Sequence, residues 1–314
     1  DEALKSYLAT QVPRCKGALE DLFSNKATLD EIKPDTRDAI VAAIGRVKIL
    51  DPACGSGAFP MGALHRLVDL LQKLDRNNES WKRDRLAEAR RYRQLLEEAG
   101  AAKDELAACD ARIADIEKSF DKRYHALDFA RKLYLVENCI YGVDIQPVAT
   151  QIAKLRFFIS LVVDQKVEPK APNLGVRPLP NLETRLVAAD TLIPLPKAKE
   201  RQGGLFDDAS PRDYAEHNRL KAELSRVRHE HFNARDPGSK RRLRAEDEKI
   251  RGELRDLLRR VGIPAESAKM MADWDPYDQN AFAPFFDSEW MFGLPVGKVR
   301  IEGKASATLL GNLS

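Results

Sequence analysis

Ile49-Leu50-Asp51-Pro52-Ala53-Cys54-Gly55-Ser56-Gly57-Ala58-Phe59 is the stretch that decides how this chain is read. The run from Val47 to Leu50 has the apolar, β-branched content of a short strand and stops at Asp-Pro. Two glycines come next, and from Met61 to Leu74 the positions Leu64, Leu67, Leu71 and Leu74 recur at helical spacing. The order is strand, glycine turn, helix. Gly55 and Gly57 allow the backbone to approach a ligand without a Cβ in the way, and the first turn of the helix offers unpaired N–H groups. An adenosine-containing ligand is the default expectation for such a turn.

The turn also narrows the choice of ligand. A dinucleotide fingerprint calls for a third glycine three positions after Gly57, where Pro60 stands. A phosphate-cradling P-loop needs Gly-Lys-Ser/Thr, which the sequence lacks here. A ligand with a sulfonium centre and an amino-acid tail has no phosphate to cradle, and Asp51 beside the glycines suits its ammonium group. The expected cofactor is S-adenosylmethionine.

Two more strands read the same way. Cys139 to Val143 ends at Asp144 and leads into a helix from about Pro147 to Val163, with proline at the first turn, where a missing N–H is harmless. Thr184 to Ala188 ends at Asp190. Three strands with acidic ends, interspersed with helices, predict an α/β fold whose parallel sheet holds its ligand at the carboxyl edge. Asp144 is placed to accept from two ribose hydroxyls, Ile145 to pack on an adenine face, and Asp190 to accept from the adenine amino group. Singly, a strand-terminal Asp is more often a helix cap or turn former. Three of them in register with a glycine turn outweigh that reading.

Roughly ninety positions separate Asp51 from Asp144, where a βαβ unit needs about 30 residues. The charged stretch from Trp81 to about Arg131 reads as an inserted helical hairpin. Ser210-Pro211 reads as a helix cap with proline at the first position, and Asp236-Pro237-Gly238 as the turn of a second hairpin. Residues 1–47 read as helical, including a helix from about Asp35 to Ile44 that stops at Gly45. The expected organisation is an N-terminal helical segment over 1–46 and a core over 47–198 with a helical insertion at about 78–131. A helical hairpin over 199–266 and a C-terminal segment over 267–314 complete it.

Composition sets the outer bounds. The 314 residues suffice for one large domain or two ordinary ones. Lys and Arg total 52 against 49 Asp and Glu, a formal charge of +3, so bulk charge does not argue for nucleic acid. No apolar run approaches the roughly 18 residues of a membrane span, so no membrane partner is expected. The chain starts at Asp1 with neither a signal peptide nor a lipidation pattern, which reads as a piece of something longer. The four cysteines form no CxxC pair, which argues against a zinc site or disulfide framework and for the cytoplasm.

The segments DPACGSGAF, CIYGVDIQPVATQIAKLRFFISLVVD, LPNLETRLVAADTL and WDPYDQNAFAPFFDSEWMFG together resemble the large adenine-specific DNA methyltransferases. The nearest are the type IIG restriction–modification enzymes and the methylases of BREX phage defence. The resemblance covers roughly residues 47–74 and 132–294. It implies a Rossmann-like domain that methylates adenine N6 of double-stranded DNA in the intact protein, with the target base flipped out of the stack. Carried over residue by residue, it implies cofactor contacts by Asp51, Ala53, Gly55, Gly57 and Phe59, by Asp144 and Ile145, and by Asp190. The family's Asn/Asp-Pro-Pro-Tyr/Phe motif, which accepts from the target amino group and stacks on the base, is not found. Asp275-Pro276-Tyr277 is the closest string, and Gly311-Asn312 is succeeded by Leu313-Ser314 instead of prolines. No catalytic residue is therefore assigned, and the expectation is a cofactor-binding part that is weak or inactive alone. The alternatives are a methyltransferase for RNA or protein, or a non-catalytic scaffold with a degenerate methyltransferase fold. The sequence does not give the oligomeric state.

Other features have plainer readings. His229 and His231 point to different faces of a helix, so they read as ordinary surface histidines sharing no metal. Lys240-Arg241-Arg242-Leu243-Arg244 reads as a solvated helix face before a phosphate contact, because Glu246, Asp247 and Glu248 lie just beyond it. Phe157 and Phe158 read as core, and Cys54 as a small residue filling a tight turn.

Overall fold

The structure is a computed structural model that describes residues 1–24, 32–98, 100, 103–121, 126–170, 174, 176, 179–194, 210–234 and 236–294. The chain opens with α1 (Glu2–Gln11), a 3₁₀ turn over Pro13–Ala18, α2 (Leu19–Phe23) and α3 (Pro34–Arg46). The glycine turn sits between β1 (Ile49–Asp51) and α4 (Ala58–Leu74). The first insertion is a helical hairpin of α5 (Glu79–Glu98) and α6 (Lys103–Ser119), after which α7 (Leu127–Asn138) feeds β2 (Ile140–Asp144). Next come α8 (Pro147–Val162), β3 (Leu186–Ala188), the second hairpin of α9 (Pro211–Asn233) and α10 (Pro237–Arg260), then α11 (Ala265–Asp273) and α12 (Ser288–Phe292).

Among the described residues the strands form one three-stranded sheet in the order β1-β2-β3, with both pairings parallel. Asp51 lies opposite Gly142 and Asp144 opposite Ala188, so all three strands finish at the same edge. The fold is mostly helical, with an α/β centre.

Alternation along the strands sends side chains to two cores. Ile49, Ile140 and Leu186 join Ile44, Leu64, Leu71, Leu135 and Phe157 on one face. Tyr141, Val143 and Val187 join Leu224, Val227, Leu254, Phe285 and Trp290 on the other. The second hairpin therefore covers a face of the sheet.

Three expectations change here. Gly45 does not stop its helix: α3 runs through it to Arg46, and a Cβ on Gly45 would lie 3.2 Å from the buried Trp81 ring. The glycine is a packing site for the first residues of α5. Leu127 to Arg131 belong to α7, whose Phe129 and Leu133 enter the first core, so they are not part of the inserted hairpin. Asp236-Pro237-Gly238 is already the start of α10: the Asp236 carboxylate caps it by accepting from Ser239 N–H at 2.7 Å. Ser210 caps α9 as expected, accepting from Asp213 N–H at 3.1 Å.

A buried ionic cluster fastens the second hairpin to the C-terminal segment that holds Trp274, Tyr277 and Trp290. Asp247 is fully buried and accepts from Arg228 Nε at 2.8 Å, Arg251 Nε at 2.7 Å and the Tyr277 hydroxyl at 3.1 Å. Arg228 also donates to the Trp290 carbonyl at 2.7 Å, and Arg251 to the Trp274 carbonyl at 2.7 Å. Burial alone would raise the Asp247 carboxyl, yet the two guanidiniums hold it below its ordinary value.

Candidate cofactor site

At the carboxyl edge the glycine turn is drawn against β2. Cys54 N–H donates to the Val143 carbonyl at 2.8 Å, and Gly55 N–H donates to Asp144 Oδ2 at 2.8 Å. The Arg156 guanidinium of α8 reaches the Ser56 carbonyl at 3.2 Å. Gly55 and Gly57 both have positive φ, at 52° and 84°, a conformation that disfavours any side chain. Their surroundings differ. A Cβ on Gly55 meets nothing within 4 Å, so the space above it is open to a ligand. A Cβ on Gly57 would lie 3.0 Å from Ala153 Cβ, so this glycine lets α4 and α8 touch and does not keep a ligand path clear.

The three strand-terminal aspartates do form turns. Asp51 accepts from Ala53 N–H at 3.1 Å, Asp144 from Gln146 N–H at 2.9 Å, and Asp190 from Leu192 N–H at 3.0 Å. Each is the same two-residue carboxylate–backbone turn, which Asp275 and Asp278 also make. The turn geometry alone is therefore not distinctive. Asp144 differs because its second oxygen spans to the glycine turn on the neighbouring strand. A carboxylate oxygen has two acceptor sites, so both oxygens of Asp144 keep capacity for a diol. Asp190 Oδ2 has no hydrogen bond among the described residues.

Asp190 is held by a segment that sequence reasoning did not connect to the sheet. Its N–H donates to the Ala283 carbonyl at 2.9 Å, and Ala283 N–H donates to the Ala188 carbonyl at 2.9 Å. Isolated parallel bridges join Ala189 to Ala283 and Pro194 to Phe286. The apolar string Ala281-Phe282-Ala283 was the available signal, but Pro284 next to it masks a strand pattern.

Electrostatics separate the residues further. Burial pushes the Asp51 carboxyl above its ordinary value; Ala53 N–H opposes the rise and the Asp144 charge adds to it. Burial pushes the Cys54 thiol up to about 12, which leaves it unreactive. Its sulfur fills the hollow over Gly142, where a Cβ would come within 3.0 Å of it. Phe59 and Ile145, at 60% and 58% exposure, are large apolar side chains left open beside the turn and beside Asp144. Ala53 is also exposed.

The remaining candidates resolve differently. Tyr277 is buried, its ring centroid 4.4 Å from that of His231 and its hydroxyl on Asp247, so Asp275-Pro276-Tyr277 presents no aromatic face to a substrate. His231 is not a surface histidine: it is fully buried, and Arg244 Nε donates to its Nε2 at 3.2 Å. Nor is His229 a free surface group, since its Nε2 lies 3.3 Å from the buried Glu137. Phe157 is core. In the basic cluster, Arg242 lies 3.6 Å from Glu246, and Arg244 3.6 Å from Glu183. Gly311-Asn312 lies outside the described residues. Among the described residues no His, Cys, Asp and Glu side chains are grouped to hold a metal, and no helix is long and apolar enough to cross a membrane.

Comparison with known proteins gives one informative likeness. Over 175 residues the chain is 26% identical to a Methanocaldococcus jannaschii protein named "putative type II restriction enzyme and methyltransferase". The match covers 56% of this chain and 11% of that relative's length. No family model matches the chain, and no solved structure matches it. What this chain is similar to, over just over half its length, is a small part of a restriction–modification methyltransferase.

Proposed function

We propose that this chain is the S-adenosylmethionine-binding part of a methyltransferase of a bacterial restriction–modification or phage-defence system. In the intact protein the methyl acceptor is adenine N6 of double-stranded DNA. The observation that carries this reading is the Asp144 carboxylate, anchored to Gly55 of the glycine turn at the edge where Asp51 also ends. The name of the archaeal relative supports the reaction class, and the resemblance of the four sequence segments supports adenine and DNA.

The cofactor supplies a methyl group on a sulfonium, activated for transfer. This chain's residues bind and orient it. Asp51 faces the ammonium of the amino-acid tail, Asp144 accepts from the ribose diol, Ile145 and Phe59 enclose the base, and Asp190 accepts from the adenine amino group. Ala53, Gly55 and Gly57 shape the turn. The open space over Gly55 and the spare acceptor sites on Asp144 fit such a ligand. Methyl transfer also requires acceptors aligned on the target amino group, and the sequence carries no Asn/Asp-Pro-Pro-Tyr/Phe tetrad to provide them.

Titration calorimetry with S-adenosylmethionine tests the binding. The chain gives saturable heat, and Asp144→Ala weakens affinity about a hundredfold through loss of charge-assisted hydrogen bonds. An absence of heat, or heat indifferent to Asp144, refutes the reading. A labelled-methyl assay on adenine-containing duplex DNA should give turnover near background. Turnover typical of a complete enzyme would overturn the expected inactivity.

A further inference from the structure

Because the strands are parallel, the residues just before each of them meet at the amino edge of the sheet, opposite the glycine turn. Lys48 precedes β1, Asn138 and Cys139 precede β2, and Arg185 precedes β3. Lys48 Nζ donates to the Asn138 carbonyl, and Arg185 Nε to the Glu137 carbonyl at 2.7 Å, where α7 ends. Arg112 of α6 lies 3.6 Å from the Glu137 carboxylate, which also accepts from Asn233 Nδ2 at 2.7 Å. His229 stands against the same carboxylate, and the charges that act on it most strongly are that one anion and three cations, Arg112, Arg185 and Lys48. Glu137 and the negative end of α7 offset only about half of the three positive charges.

This edge lines a cavity of about 2130 Å³ between the two helical hairpins. Farther out, the cations of the cavity have carboxylate partners: Arg85 lies 2.8 Å from Glu88, and Arg226 2.8 Å from Glu230 and 2.6 Å from Glu246. At the amino edge donors are left over. Arg185 is only 7% exposed, yet its Nη2 has no hydrogen bond among the described residues, and Arg112 has none there at all. We propose that this end of the cavity binds a small organic phosphate, a phosphomonoester on an aromatic or apolar body. Donors that converge from the start of β1, the start of β3 and α6 suit the three oxygens of a phosphate better than the two of a planar carboxylate. Helical spacing sets apolar side chains beside them. Leu133 is one turn before Glu137 on α7, Ile116 is one turn after Arg112 on α6, and both line the cavity. The cavity as a whole is larger than the roughly 300–1,000 Å³ of a small-molecule pocket, so such a ligand fills its charged end alone. The inference does not depend on the cofactor reading, because it uses the opposite edge of the sheet.

Phenyl phosphate, benzoate and inorganic phosphate, each titrated into the full chain by calorimetry where the phosphate is doubly charged, test the proposal. Phenyl phosphate is expected to bind at least about tenfold tighter than either of the others. Arg112→Gln weakens its binding about tenfold, and Lys48→Met does likewise. The Arg112 side chain is 36% exposed, so an unchanged unfolding midpoint by circular dichroism verifies that the Arg112→Gln chain is folded. Saturating S-adenosylmethionine leaves the affinity for phenyl phosphate unchanged. An absence of heat with phenyl phosphate, equal affinity for benzoate or for inorganic phosphate, or indifference to both substitutions overturns the proposal. So does displacement of phenyl phosphate by S-adenosylmethionine, because the ligand then lies at the carboxyl edge.

Discussion

Asp51 shows what burial does to a carboxylate that has no cation beside it: the proton is held more tightly than in water. An ammonium placed against it reverses that preference. The affinity for S-adenosylmethionine is therefore expected to rise with pH as Asp51 ionises and to fall as the pH is lowered and the carboxyl is protonated. Asp51→Asn should bind more weakly and with a flatter profile over the same range. Calorimetry at a series of pH values reads both, and an Asp51→Asn variant with the parent's steep profile would assign the titration to another group.

The carboxylates were legible in the sequence because each ends a recognisable strand. The role of the glycines was only half legible, since spacing cannot say whether a missing side chain makes room for a ligand or for a helix. Gly142 gave no signal at all. A Cβ there would sit 2.7 Å from Leu186 Cδ2 and 3.0 Å from Cys54 Sγ, between two strands and the turn. Gly142→Ala should destabilise the fold by about 1–3 kcal/mol and weaken cofactor binding by displacing Cys54. Gly62→Ala, on an exposed helical position where a Cβ meets nothing within 4 Å, should be neutral or mildly stabilising. Thermal unfolding of the two variants side by side checks the contrast.

At the scale of elements, helices and strands with strong periodicity stood out from the sequence, while their roles depended on contacts between distant segments. The helical part of the second hairpin was readable from Leu243, Ile250, Leu254 and Leu257, yet nothing local showed that it covers a face of the sheet. Tyr277 looked like a remnant of a catalytic string because its neighbours fit; its burial on Asp247 is a long-range fact. That cluster yields a direct prediction. Asp247→Ala leaves two buried guanidiniums without their carboxylate and should cost about 3–5 kcal/mol in urea unfolding. A loss within experimental error would mean that Arg228 and Arg251 are held adequately by the Trp290 and Trp274 carbonyls alone.

For the whole molecule, acid is the condition that should test the fold most sharply. Burial pushes His229 and His231 down to about 4, so both stay neutral in the folded chain. The unfolded chain takes up protons on these groups at about pH 6.5. Their contribution is intact above that pH and is lost progressively as pH falls from about 6.5 towards 4. The slope is about 1.4 kcal/mol per pH unit for each histidine that must be protonated. His231→Gln should remove one histidine's share, measured as the change in urea midpoint across that window. Asp51 and Asp287, both raised by burial, oppose the trend as they take up protons in the folded state.

The bridges of Ala189 to Ala283 and Pro194 to Phe286 run in the same direction. A polypeptide that returns to lie alongside itself in that sense cannot do so through a tight bend; it must first travel back the length it has advanced. A return connection between those two stretches is thus a topological necessity, and the helices α9 and α10 within it also cover the sheet. Any trimmed version must keep enough contour to make the return journey, or Asp190 loses its neighbour.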